Sequence, residues 1–213
     1  ALAAGNLSRA AAYGMLILAA ATFGAGCLGF HTFYNNTWPI VLSGPVLIYL
    51  CVYSFTKRFT KWSHLYLGSA IALAPIAAWI AIDPASLGQP ALLLMLTVTC
   101  WIGGFDIIYA CQDIEVDRRD NLFSLPSRLG PATALWIARG AHVIAILALV
   151  MLGYVAKLGF VYALGVGVAA LLLIVENILV RPGDYRHVNL AFFTLNGAVS
   201  VVLAAAAIVD MLV

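Results

Sequence analysis

Apolar residues in this chain run in seven stretches, at positions 9–30, 39–56, 63–82, 90–112, 131–153, 156–180 and 188–211. Each is near the roughly 20 residues that a helix needs to cross a bilayer. The breaks between them carry turn chemistry: Asn35-Asn36-Thr37-Trp38-Pro39, Asp83-Pro84-Ala85-Ser86-Leu87-Gly88 and Arg181-Pro182-Gly183-Asp184. Pro45 and Pro75 fall inside stretches. That does not argue against helix in a membrane, where neighbouring helices satisfy the backbone groups a proline frees. The pattern predicts an all-α polytopic membrane helical bundle with seven transmembrane helices. No connector is long enough to separate domains and no repeat is visible, so positions 1–213 read as a single transmembrane domain.

Composition agrees with the pattern. Hydrophobic residues make up 64% and charged residues 9%, against about 25% charged in soluble domains. Membrane lipid is the expected surrounding, and no nucleic-acid partner is expected. The net charge of +2 says little, but its placement says more. Alternate connectors hold Arg9; Lys57, Arg58 and Lys61; Arg118, Arg119 and Arg128; Arg181 and Arg186. The others hold only Lys157, while Arg139 lies inside a stretch. Basic loops face the cytoplasm, which predicts an integral protein of the cytoplasmic (inner) membrane with the first set of connectors inside. Cys27, Cys51, Cys100 and Cys111 lack metal-ligand or disulfide-framework spacing and read as small packed thiols. The four histidines (His31, His64, His142 and His187) are scattered without ligand spacing.

Acidic residues are the informative minority. Five of the nine fall between Asp106 and Asp120, at and just beyond the end of the fourth apolar stretch. Carboxylates at the end of a membrane helix are a functional-site hypothesis by default. On a continuous helix, Asp113 lies about 20° to one side of Asp106 and Asp117 about 20° to the other, with Glu115 pointing away. Three carboxylates on one stripe repel each other unless a cation lies between them. Mg²⁺ prefers such oxygen donors and bridges to substrate phosphate. The competing reading is a solvated acidic loop.

A second constellation lies on the same side of the membrane. Tyr53 and Lys57 are four residues apart and share a helix face. A phenol and an ammonium pointing together suit a phosphate clamp, so a charged substrate would touch both constellations. The plainer reading is a basic flank with an interfacial tyrosine. Asn196 and Ser200 are also one turn apart in the last stretch; such residues more often bond a neighbouring helix backbone than line a cavity. Glu176 and Asn177, near the end of their stretch, are expected to bond a structural partner such as Arg181 rather than to take part in catalysis.

Three elements, in order, resemble the UbiA superfamily of intramembrane prenyltransferases. Asp106, Asp113 and Asp117, within Phe105-Asp106-Ile107-Ile108-Tyr109-Ala110-Cys111-Gln112-Asp113-Ile114-Glu115-Val116-Asp117, resemble its second aspartate-rich motif. Ser124-Leu125-Pro126-Ser127-Arg128-Leu129-Gly130 is similar to the stretch that follows that motif. Tyr53-Ser54-Phe55-Thr56-Lys57-Arg58-Phe59-Thr60 is similar to the element on the preceding cytoplasmic loop. The segment from Asn189 to Asn196 also resembles the family's last helix. The forms of these elements look closest to 4-hydroxybenzoate polyprenyltransferase-like members, which implies a role in ubiquinone or menaquinone biosynthesis.

The resemblance implies a transferase that moves a polyprenyl group from polyprenyl diphosphate to an aromatic acceptor. It implies Mg²⁺ held by Asp106, Asp113 and Asp117, with Lys57, Tyr53 and Asp113 as the catalytic set. Tyr53, Lys57, Arg58 and Arg128 would hold the diphosphate, and the active site would face the cytoplasm. The family carries a further aspartate-rich motif near the end of its second helix, and no such motif is visible here. The seven spans are therefore expected to correspond to helices three to nine of nine, an N-terminally incomplete domain that is inactive by itself. Two rival classes stay open: a cation- or proton-coupled transporter, which would need polar residues deep in several spans, and a non-catalytic membrane subunit.

Overall fold

The structure, a computed structural model, describes residues 7–213. Among the described residues nine α-helices follow one another: α1 (Arg9–Tyr34), α2 (Trp38–Thr56), α3 (Ser63–Ile82), α4 (Gln89–Ala110), α5 (Ile114–Arg119), α6 (Leu125–Leu129), α7 (Pro131–Ala156), α8 (Phe160–Leu179) and α9 (Asn196–Leu212). A 3₁₀ turn, Pro84–Ser86, precedes α4, and one π-helical turn, Leu190–Leu195, leads into α9. Seven helices are long and apolar enough to cross a membrane, the last counted with its π turn. The expected all-α membrane bundle is therefore observed.

Local chemistry sets the boundaries. Ser8 caps α1 by accepting from the Ala11 N–H at 3.1 Å, and Asn35 ends it in the left-handed conformation at φ 52°. Lys157, at φ 55°, ends α7, so the sixth span starts at Phe160 rather than at 156. The fourth span stops at Ala110, two residues short of the expected end.

Helix packing concentrates on α3 with α4, α4 with α7, and α8 with α9. Gly68 lets α3 and α4 touch backbone to backbone: a methyl group there would run into the Thr99 carbonyl. Gly104 gives the same clearance to the His142 ring of α7. Small residues at helix crossings are the usual device where lipid supplies no hydrophobic drive between helices. At the polar end of this packed unit, Ile107, Ile108, Cys111, Leu125, Leu135, Val180 and Val188 form a closed apolar floor. The short helices α5 and α6 lie in the connector above it.

Candidate functional site

The acidic stretch does not form one continuous helix. The chain turns at Cys111, Gln112 and Asp113 and restarts as α5 at Ile114. The expected single stripe of Asp106, Asp113 and Asp117 is thus corrected: Asp106 belongs to α4, Asp113 to the N-terminal flank of α5, and Asp117 to α5 itself. Burial explains the turn. A straight continuation would carry the segment away from the bundle. Turning keeps Glu115, Arg118, Arg119 and Asp120 in the polar phase and leaves Asp117 only 2% exposed.

Backbone bonds secure that arrangement. The Leu122 N–H donates to the Asp117 carbonyl at 2.7 Å, and the Phe123 N–H donates to the Lys57 carbonyl at 2.6 Å. Arg118 Nε donates to the Ser127 carbonyl at 3.3 Å. Ser124 and Ser127 form a reciprocal capping box that starts α6. The loop after α2 is thereby tied to the loop after α4. The Lys57 ammonium reaches Asp117, with Nζ at 3.4 Å from Oδ1 and 3.5 Å from Oδ2. The side chains are 31% and 3% exposed, so the lysine keeps one side open while the carboxylate is enclosed.

His64 completes the arrangement and is the residue that sequence reasoning missed. It is fully buried at the start of α3, and its Nδ1 lies 2.7 Å from Asp106 Oδ2. Its Nε2 accepts from the Leu125 N–H at 3.4 Å. One imidazole thus joins α3, α4 and the start of α6. The available signal was a histidine at the end of a span, on the side that holds the acids. Its partner is 42 residues away and invisible to local spacing.

The other expected residues are distributed as follows. Tyr53 is half-buried one turn before Lys57. Arg58 is exposed with its guanidinium 5.4 Å from the Phe55 ring centroid, and Arg128 lies 3.9 Å over Phe123. Neither arginine pairs with an acid among the described residues. Cys111 is 2% exposed, and burial pushes its thiol up to about 12. Glu176 has the structural partner expected of it, but that partner is Asn196 rather than Arg181. Glu176 is fully buried and accepts from Asn196 Nδ2 at 3.4 Å, and Trp101 Nε1 donates to Asn196 Oδ1 at 2.7 Å. Ser200 donates to the Asn196 carbonyl. This network joins α4, α8 and α9 through the π turn, where Asn196 Nδ2 also caps the Ala191 carbonyl at 3.1 Å.

Among the described residues, no three acids, histidines or cysteines are gathered into a ready metal cage. The donor chemistry nevertheless fits Mg²⁺. That ion is usually held by one or two carboxylates together with substrate phosphate, with water filling the rest. The Asp113 side chain makes no hydrogen bond among the described residues, and the enclosed Asp117 is reached only by the long Lys57 contact.

Known proteins place these features in context. The UbiA prenyltransferase family matches residues 1–207. A 4-hydroxybenzoate octaprenyltransferase of Marinobacter nauticus is 31% identical over 165 residues, which is 78% of this chain and 55% of that protein. A mitochondrial 4-hydroxybenzoate polyprenyltransferase of Arabidopsis thaliana is 33% identical over 127 residues, 60% of this chain and 31% of that protein. The chain thus spans about half or less of these relatives' lengths. The apo structure of a UbiA homolog from Aeropyrum pernix K1 superposes with a TM-score of 0.85 at 29% identity, covering 99% of this chain and 76% of that one.

Proposed function

This chain belongs to the UbiA prenyltransferase family, and from that premise we propose that it carries part of the active site of an aromatic polyprenyltransferase. Seven membrane-length apolar helices make it an integral membrane protein. In this reading the substrates are a polyprenyl diphosphate and a 4-hydroxybenzoate-like acceptor. The product serves ubiquinone or menaquinone synthesis. The site faces the cytoplasm from the inner membrane, since the basic connectors share its side.

The observation that carries the reading is the polar mouth itself. Lys57 bridges to Asp117, His64 braces Asp106, and the Asp113 carboxylate has no partner among the described residues, all above a closed apolar floor. A diphosphate entering here would draw the half-exposed Lys57 ammonium away from Asp117. Tyr53, one turn before it, would donate to the same phosphate. Arg58 and Arg128 would swing from their aromatic stacks to add charge at the rim. Asp113 and Asp117, with Asp106 behind them, would hold Mg²⁺. When bound, that ion supplies charge neutralisation of the diphosphate as it leaves.

The reaction breaks the allylic carbon–oxygen bond, and its electron pair departs with diphosphate. The allylic cation accepts a new bond from the electron-rich ring carbon ortho to the acceptor phenol. The departed diphosphate then takes the ring proton, and aromaticity returns. The apolar spans keep water away from the cation, which water would convert to an alcohol.

The test uses the complete gene product, reconstituted in vesicles with polyprenyl diphosphate, 4-hydroxybenzoate and Mg²⁺, with the prenylated acid read by mass spectrometry. Asp113→Asn should lower turnover on the order of 10²-fold or more, the scale of losing one preorganised charge-stabilising group, while the protein stays folded. Near-normal turnover by that variant would remove Asp113 from the site.

A further inference from the structure

On the lipid-facing side of the α7–α8 pair, away from the carboxylate mouth, lies a groove of about 610 Å³. Its walls are apolar over most of their length: Val143, Ile146 and Leu147 on α7, Ala170 and Ile174 on α8. At one end stand two cations, Arg139 and Arg181. That end is the one where α7 begins and α8 finishes, the side that carries the basic connectors.

Both arginines are without a counter-charge among the described residues. Arg139 is half-buried inside a membrane span. It lies over Trp136 at 4.6 Å, and its one hydrogen bond is a 3.4 Å donation from Nη2 to the Asn177 carbonyl in the last turn of α8. A guanidinium has five donors in a planar fork, so most of this one faces the groove unused. Charged groups at membrane depth are almost always paired. The acid nearest to Arg181 in sequence, Asp184, is committed elsewhere: Arg186 donates to it through Nε at 2.9 Å and Nη2 at 2.8 Å.

The depth matches a headgroup. Arg139 lies about 12 Å along α7 from Pro131, which is roughly 7–8 Å inside the boundary of a hydrocarbon core about 30 Å thick centred on the 26-residue helix. From there its side chain can reach back to the phosphate level. Below it, past the hydrogen-bonded pair of His142 and Asn177, the groove continues along apolar side chains. A fork of cations above an apolar channel is complementary to one class of molecule that surrounds this protein in bulk.

We propose that the α7–α8 groove is a binding site for an anionic phospholipid of the cytoplasmic leaflet. Its phosphate sits between Arg139 and Arg181, and one acyl chain lies along Val143, Leu147 and Ile174. Basic pockets between membrane helices on the cytoplasmic side are suited to such headgroups. The site is independent of the reaction proposed above and would bind lipid whatever the catalytic mouth does.

The experiment is native mass spectrometry of the delipidated protein, titrated with dioleoyl phosphatidylglycerol or dioleoyl phosphatidylcholine, which share acyl chains and differ in charge. Phosphatidylglycerol should bind, and Arg139→Gln with Arg181→Gln should weaken it about 30-fold, roughly five-fold for each arginine at a membrane surface. Arg181→Gln alone, at an exposed position, should weaken it about five-fold without any question of folding. Arg139→Lys should retain the preference for the anionic lipid. Phosphatidylcholine affinity should be the same for all variants. Equal affinity for the two lipids, or unchanged phosphatidylglycerol binding by the double variant, would overturn the proposal. So would occupancy by farnesyl diphosphate in preference to phosphatidylglycerol with the same dependence on both arginines, or equal displacement by inorganic phosphate.

Discussion

Two lysines four residues apart illustrate how much a single side chain's surroundings decide. Lys57 reaches the enclosed carboxylate of Asp117, while Lys61 lies over the ring of Trp62 at 5.7 Å. Only the first is poised over the acidic mouth. In the reconstituted gene product Lys57→Ala should lower prenyl transfer on the order of 10²-fold, and Lys61→Ala should change it little. Equal losses would return Lys57 to the role of a topogenic charge. Cys111 offers a check on the floor beneath. Burial raises its thiol to about 12, which favours the neutral form at every pH where the protein is handled. An ordinary thiol becomes more reactive as pH rises through about 8.5. Alkylation at Cys111 should instead stay slow and flat from pH 7 to 9 and appear only after denaturation, as read by peptide mapping. A rate at Cys111 that follows an ordinary thiol titration would show that the floor opens.

Between elements, the decisive contacts are those with no room to spare. Gly68 brings α3 against α4 at Thr99 and Gly103, and this crossing also sets how far His64 stands from Asp106. Gly68→Ala should therefore push the two helices apart and destabilise the protein by about 1–3 kcal/mol, the usual cost of overpacking. Thermal unfolding in detergent measures it. Gly14→Ala is the control, because nothing lies within 4 Å of a methyl group there. An unchanged midpoint for Gly68→Ala would mean that the α3–α4 crossing is looser than described. The π turn before α9 obeys similar logic. Asn196 spends its amide on the Ala191 carbonyl and on Glu176 while accepting from Trp101, so a distortion that frees a carbonyl is satisfied within the same network.

For the whole molecule, the seven crossings alternate, and α5 and α6 both sit in the connector between the fourth and fifth of them. The connectors holding Lys57, Arg119 and Arg186 therefore share one side, and Lys157 lies on the other. Single cysteines placed at Arg119 and Arg186 should react with a membrane-impermeant maleimide only in inside-out vesicles, and one at Lys157 only in right-side-out vesicles. Labelling of Arg119 and Lys157 positions from the same side would invalidate the orientation.

What the sequence by itself determined is the part of the protein governed by local pattern. Seven spans were legible because a bilayer demands about 20 apolar residues at a time, and the gathering of basic residues into alternate connectors was legible because charge is counted loop by loop. The three acids stood out because carboxylates are rare beside such spans. Tertiary structure alone decided how they are used. Helical phase placed Asp106, Asp113 and Asp117 on one stripe, but phase holds only while the helix continues, and burial of Asp117 against Lys57 turns the chain at Cys111 instead. His64 joined Asp106 across 42 residues, and Glu176 chose Asn196 rather than the nearby Arg181. In each case the partner lies on another helix. Spacing along one helix carries no information about which face of a neighbour it will meet, and in a low-dielectric interior that neighbour determines where each charge and each proton resides.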